Sequence, residues 1–390
     1  MDAQSGPLPV RTLVFLAAAC FASMASLRAA DPILPDIAAA FATTPGAAAK
    51  VVTVFGATYA VAQFIYGFAG DRYGHLRLVA FTTVLSGVST LVCAFAASLD
   101  MLMLARIAVA LTAAAIIPLS FAWLADAVPY ERRQAVLAYF LSGQIMGLIL
   151  GQAFAGIIAE HIGWRAVFVL LAGFFLTAGA ALVFEMRRYP SAERTLDGTP
   201  FGRIAVLLRR KWVVIVLVSV LLDGMLFFGA YTFAGSFLWA RFGVGLDLVG
   251  LIVAGFGAGA LIYSLTAARM LPYLGEGGLA LGGGAVIAFS FALLAFAPSV
   301  WFAVPATVLA GFGYYMLHNT LQIHATQMAP EMRGLAIAAF ASCLFLGQAI
   351  GVAVAAPIFD RTGGQPIFLV AGVLLLIVGA AFRALLVHRH

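Results

Sequence analysis

Twelve apolar stretches follow one another along this 390-residue chain, near residues 11–30, 50–69, 78–97, 101–124, 135–158, 166–185, 213–236, 248–268, 278–297, 302–325, 335–358 and 366–386. Each is close to the roughly 20 residues that a helix needs to cross about 30 Å of hydrocarbon. Hydrophobic residues make up 64% of the sequence and charged residues 10%. That leaves too little polar surface to coat a water-soluble globule, so lipid must be the main solvent. The runs are rich in Gly, Ala and Leu and lack the alternation of an outer-membrane barrel. They predict an all-α polytopic membrane protein with twelve transmembrane helices.

The net charge of +6 is distributed over loops rather than gathered on a soluble face, so no nucleic-acid partner is expected. With an interior N-terminus, 16 Lys and Arg residues fall on the inner side and four (Lys50, Arg165, Arg241 and Arg361) on the outer, while Arg28 and Arg106 lie inside spans. This bias predicts both termini in the cytoplasm. Arginine dominates lysine, which fits a GC-rich bacterial genome and hence a bacterial inner membrane. Arg11, the apolar run after it and the Ala-rich sequence near position 30 also resemble a signal peptide. Its removal would leave eleven spans and break the repeat described next, so the first span is expected to be retained. Cys20, Cys93 and Cys343 sit in apolar runs without metal-ligand spacing and read as packing residues. No metal or cofactor is expected.

The chain repeats itself. Ile65-Tyr66-Gly67-Phe68-Ala69-Gly70-Asp71-Arg72 aligns with Ile262 to Arg269, with Ile, Tyr and Arg in register and Ala268 in place of Asp71. Pro129-Tyr-Glu131-Arg132-Arg133 before the fifth span echoes Pro330-Glu331-Met-Arg333 before the eleventh. The spans that follow share Gly143-Gln144-Ile-Met-Gly147 and Gly347-Gln348-Ala-Ile-Gly351. Such repeats are the usual construction of secondary transporters, with the substrate site between the halves. The expected organisation is a six-helix bundle over residues 1–186, a polar cytoplasmic linker over 187–212 and a second six-helix bundle over 213–390. The fifth span also carries Gly143, Gly147, Gly151 and, one step out of register, Gly156. That ladder fits either static close packing of helices or a sliding interface.

Between the second and third spans the chain reads Gly67-Phe-Ala-Gly70-Asp71-Arg72-Tyr73-Gly74. Further on come Asp31-Pro32-Ile-Leu34-Pro35 closing the first span, Arg106 in the fourth, the glycine ladder and Gly163-Trp164-Arg165-Ala-Val-Phe168. Together these resemble the major facilitator superfamily, and within it the twelve-helix drug/proton antiporter branch, over essentially the whole chain. The chain departs from that pattern at Ala110, where the branch commonly has glycine, and at Gln152, where it has proline. The resemblance implies two six-helix bundles that rock around a central site. It also implies a cytoplasmic gate at Gly67, Asp71, Arg72 and Gly74, in which Asp71 meets the start of helix eleven.

A charge near the bilayer centre costs about 2.5–3.5 kcal/mol on insertion scales and calls for a reason. Asp223 lies roughly 15 Å into the seventh span, near the midplane. A proton or substrate role and a structurally paired acid both fit it. Asp31, Arg28 and Arg106 share a similar outer depth, which permits an Asp31–Arg106 pair; Asp31 also fits a solvated helix end. In the tenth span Tyr314-Tyr315-Met-Leu-His318-Asn319-Thr320-Leu-Gln322 is unusually polar, with His318 and Gln322 on one face. These residues, with Gln144, Tyr59, Gln63, Tyr231 and Gln348, are placed to line a cavity or to bridge helices. His324 is expected near the inner interface, solvated.

The sequence therefore predicts efflux of a small organic compound driven by proton entry, in a monomer embedded in the lipid bilayer. Proton-coupled uptake of a metabolite is the alternative. An intramembrane enzyme is a remote third, since the sequence has no His-Glu-x-x-His, no Gly-x-Ser-x-Gly and no Walker phosphate loop.

Overall fold

The computed structural model of the chain describes residues 10–128, 130–188 and 200–387, with the side chains of 67–72, 126, 130–131, 133–135, 138–139 and 200–203 outside that description. The apolar runs are helices, and no strand occurs among the described residues. They are α1 (Val10–Arg28), α2 (Lys50–Tyr73), α3 (His75–Ala94), α4 (Leu99–Ala113, continued by Ile116–Ala127), α5 (Tyr130–His161), α6 (Trp164–Met186) and α7 (Lys211–Tyr231, continued by Ala234–Phe242). A single 50-residue helix, Leu246–Ala295, follows. At 1.5 Å per residue it is about 75 Å long, more than twice the bilayer core. Gly275, at φ 63° and ψ 174°, interrupts its helical backbone. Residues 246–274 are accordingly α8 and residues 276–295 are α9. Then come α10 (Ala303–Gln327), α11 (Arg333–Thr362) and α12 (Gln365–Val387). The twelve crossings predicted from the sequence are present.

Local chemistry sets where helices start and stop. The Ser98 side chain accepts the Met101 N–H and starts α4. Gly74 stands ahead of α3 at φ 84°, a conformation in which an L side chain is strained. That backbone demand favours glycine at the last position of the loop motif. Helix one ends earlier than expected, at Arg28, and after a turn the chain forms a second short helix, Leu34–Ala40, with Pro35 in its first turn.

The two halves repeat the same helix contacts. A Cβ on Gly147 of α5 would run into the Phe21 carbonyl of α1, and one on Gly351 of α11 would run into the Met225 carbonyl of α7. The sequence echo at these glycines is thus one packing solution used twice. It matters because lipid tails supply no hydrophobic drive between helices, and close backbone approach provides the attraction. α3 packs on α6 through Gly87 and Gly179, as α9 packs on α12 through Gly284 and Gly379. The halves meet where α5 crosses α8, at Gly156 and Gly250, and where α2 crosses α11, at Gly56 and Ala349. Large apolar side chains such as Phe184 and Leu265 are exposed on the outside of the bundle, as a lipid-facing surface requires.

Candidate functional site

Asp31 lies in the turn between α1 and the helix Leu34–Ala40, and it is buried rather than solvated. Its ion-pair partner is Arg28, whose Nη1 lies 3.3 Å from Asp31 Oδ2. The same guanidinium donates from Nη2 to Gln348 Oε1 of α11 at 3.1 Å and lies 3.7 Å above the ring of Phe228 of α7. One arginine of the first half therefore holds two helices of the second. The expected Asp31–Arg106 pair is not made. Arg106, fully buried, donates to the Ser26 carbonyl at 3.1 Å and the Ser26 hydroxyl at 3.3 Å, and sits 4.0 Å over Phe55. Depth along the membrane fixes height but not direction around a helix. Arg28, three residues from Asp31, already occupies its side.

The second acid, Asp223 of α7, is completely buried, and its Oδ2 lies 2.9 Å from Nδ1 of His318 on α10. Carboxylate oxygen and ring nitrogen attract at that distance only with a proton between them, carried by either partner. The Tyr314 hydroxyl is 3.2 Å from the same Nδ1, and its ring stacks on the imidazole at a centroid distance of 5.0 Å. Tyr314 can donate to Nδ1 only when that nitrogen carries no proton. Two alternative hydrogen-bond patterns, distinguished by whether Nδ1 carries a proton, thus share one nitrogen. Asp223 Oδ1, Asp31 Oδ1 and Gln348 Nε2 are buried without a hydrogen-bond partner.

The remaining candidates separate. Tyr59 of α2 joins the interface between halves, its ring 4.6 Å from Phe345 of α11. Gln144 is half-buried on α5 with its Nε2 unpartnered. Asn319 is half-buried beside His318, and Gln322 one turn further on is exposed, so the polar face of α10 runs from a buried to an open environment. Tyr231 is committed elsewhere: its hydroxyl donates to the Val253 carbonyl at 2.7 Å, which removes it as a free cavity hydroxyl. His324 is buried rather than solvated, 3.0 Å from Glu276 and between the rings of Trp212 and Phe382. The glycine ladder divides: Gly143, Gly147 and Gly151 face Ala17, Phe21 and Ala25 of α1 in the same half, and Gly156 alone faces the other half. The side-chain positions of the gate residues Asp71 and Arg72, with Gly67, lie outside the described residues. Arg28 and Gln348 are the members whose importance rests on each other. The sequence placed Arg28 as a charge within a span and Gln348 at cavity depth, and gave no sign that the two meet.

Two six-helix bundles with the same internal packing, joined through buried charges at their interface, define a membrane transporter. The Major Facilitator Superfamily family model matches residues 16–240 and 218–390. Over 374 residues the chain is 22% identical to YwfA of Bacillus subtilis, an uncharacterized MFS-type transporter, covering 95% of this chain and 90% of that protein. It is 30% identical over 167 residues to the multidrug export protein EmrB of Haemophilus influenzae, covering 43% of this chain and 32% of that protein. A probable sugar efflux transporter of Helicobacter pylori is 22% identical over 347 residues, 88% of this chain and 87% of that one. Among solved structures, a bacterial homolog of the human lysosomal transporter Spinster, in an inward-facing and unoccupied conformation, superposes with a TM-score of 0.77 at 16% identity, covering 97% of each chain. The nucleoside transporter NupG does so at 0.77 with 13% identity, covering 96% of this chain and 98% of that one. The chain belongs to the Major Facilitator Superfamily.

Proposed function

We propose that this transporter exports a small organic compound in exchange for protons entering the cell, as a monomer in a bacterial inner membrane with both termini in the cytoplasm. The observation that supports this most is the Asp223–His318 contact. A fully buried acid held 2.9 Å from a ring nitrogen needs a proton to be stable there. Loss of that proton turns the contact repulsive and frees Nδ1 for the Tyr314 hydroxyl. Arg28 supplies the link between halves, since the guanidinium that pairs with Asp31 also bonds Gln348. A proton taken up by Asp31 weakens its hold on Arg28 and so alters a bond between the bundles. Export rather than import is favoured by the relatives named for multidrug export and sugar efflux. A potential of 100 mV supplies about 2.3 kcal/mol per proton, enough for roughly a fiftyfold concentration ratio.

The test uses purified protein in acid-loaded proteoliposomes with an internal pH dye, to which drugs and metabolites are added one at a time. Substrate-dependent proton release that is lost in Asp223→Asn, with substrate binding retained, is the expected result. Proton and substrate moving in the same direction would replace export by uptake. Full uphill transport in Asp223→Asn would remove the Asp223–His318 pair from the mechanism.

A further inference from the structure

At the end of the bundle away from the chain termini, each half reaches across to the other with one carboxylate. Asp360, in the last turn of α11, accepts the Thr44 hydroxyl on Oδ2 at 2.6 Å and the Gly46 backbone N–H on Oδ1 at 2.9 Å. The Thr44 oxygen in turn accepts the Ala47 N–H at 3.1 Å, which orients its proton toward Asp360. Glu160, in the last turn of α5, accepts the Leu246 backbone N–H on Oε2 at 2.6 Å. α5 and α11 are the fifth helices of their halves. Thr44 and Gly46 precede α2, and Leu246 opens α8, the second helices of the opposite halves. The register is not strict: the offset between Gly143 and Gly347 puts Asp360 level with Gly156, one turn before Glu160. Space for both carboxylates depends on glycine. A Cβ on Gly46 would overlap the Asp360 carboxylate, and one on Gly245 would lie 3.2 Å from Glu160 Cδ.

We infer that Glu160 and Asp360 are the paired latches of one gate, each carried by the fifth helix of one bundle and closing on the start of the second helix of the other. That end of the transporter opens only when both sets of hydrogen bonds are released. The hydrogen bonds are made by an acceptor at the edge of the interface rather than in its core. Water can therefore take them over as the halves separate, and closure is reversible. The assignment is independent of the coupling ion, the substrate and the direction of transport.

The test places a reporter remote from both latches. Ala349, buried on α11 where it crosses α2, is replaced in an Ala349→Cys variant. The rate of its reaction with a water-soluble maleimide is measured in detergent and corrected for the three native cysteines. Asp360→Ala and Glu160→Ala are each expected to raise that rate about tenfold, a shift of about 1.4 kcal/mol at 25 °C. Asp360→Ala should have the larger effect because it loses two bonds. The Glu160 result is the critical one, since local fraying at α5 and α8 does not expose the α2–α11 crossing. Arg241 is the control: it donates to the Ala295 and Ala297 carbonyls at 2.6 and 3.0 Å within its own half, and Arg241→Ala should leave the rate unchanged. Asp360→Asn, which keeps an acceptor for Gly46, gives a smaller rise and guards against misfolding of the alanine variant, with both checked by size exclusion. An unchanged rate in the folded double variant, or an equal rise in Arg241→Ala, overturns the proposal.

Discussion

Removing Arg28 and Asp31 together should cost much less than the sum of removing each alone. The two charges are 3.3 Å apart and buried. With an effective dielectric constant of about 20, their attraction is about 5 kcal/mol. Taking one charge away leaves the other desolvated and uncompensated, which costs about 3–5 kcal/mol in buried pairs. Arg28→Met preserves length and apolar volume but forfeits the pair, the Gln348 hydrogen bond and the stacking on Phe228. It is expected to lower stability by about 3–5 kcal/mol, and Asp31→Asn by a similar amount because Arg28 is then stranded. The double variant should lose much less than the sum, giving a coupling energy of about 3 kcal/mol in a double-mutant cycle. The assay is chemical unfolding in detergent at neutral pH, with the same cycle run on Arg106→Met and Asp31→Asn. Additive single effects would falsify the pairing. A coupling larger for Arg106 than for Arg28 would reassign it.

Two further expectations concern packing and pH. Gly147→Val and Gly351→Val each drive a side chain into a backbone carbonyl of the neighbouring helix; each should cost at least the ~1–3 kcal/mol of core overpacking, whereas Gly173→Ala, with open space around its Cβ, should leave unfolding and expression unchanged. Burial holds the pKa of Asp36 above the usual carboxylate value, against the bond from Trp164 and reinforced by the nearby Glu160 charge. Stability from a raised carboxylate is present below its unfolded pKa and lost as pH rises through the folded one. Asp36→Asn should therefore be modestly more stable than the parent at pH 7, with the gap closing as the pH falls toward the ordinary carboxylate range in a thermal unfolding series.

Much of the architecture was legible in the chain. The apolar runs had to be helices because a backbone in hydrocarbon must satisfy its own hydrogen bonds. The two echoes identified corresponding helices, and the Gly147 and Gly351 contacts show why those glycines recur. The acid at the midplane, Asp223, and the polar face around His318 stood out because lipid-embedded segments rarely carry such groups. The pairing of those groups was less accessible. Spacing along a helix gives depth and face, so Arg28 and Arg106 were equivalent candidates for Asp31, and Tyr231 could not be told from a cavity residue.

The sequence by itself determined the solvent, the number of crossings and the duplication, because each follows from local hydrophobicity or from self-similarity. Tertiary structure alone decided which polar groups meet. Arg28 reaches Gln348 across 320 residues of chain, Asp223 reaches His318 across 95, and Asp360 reaches Thr44 and Gly46 across 316 and 314. The azimuth and crossing of each helix, set by where glycines let backbones touch, bring those atoms to hydrogen-bond distance, and no periodic pattern along the chain encodes that arrangement.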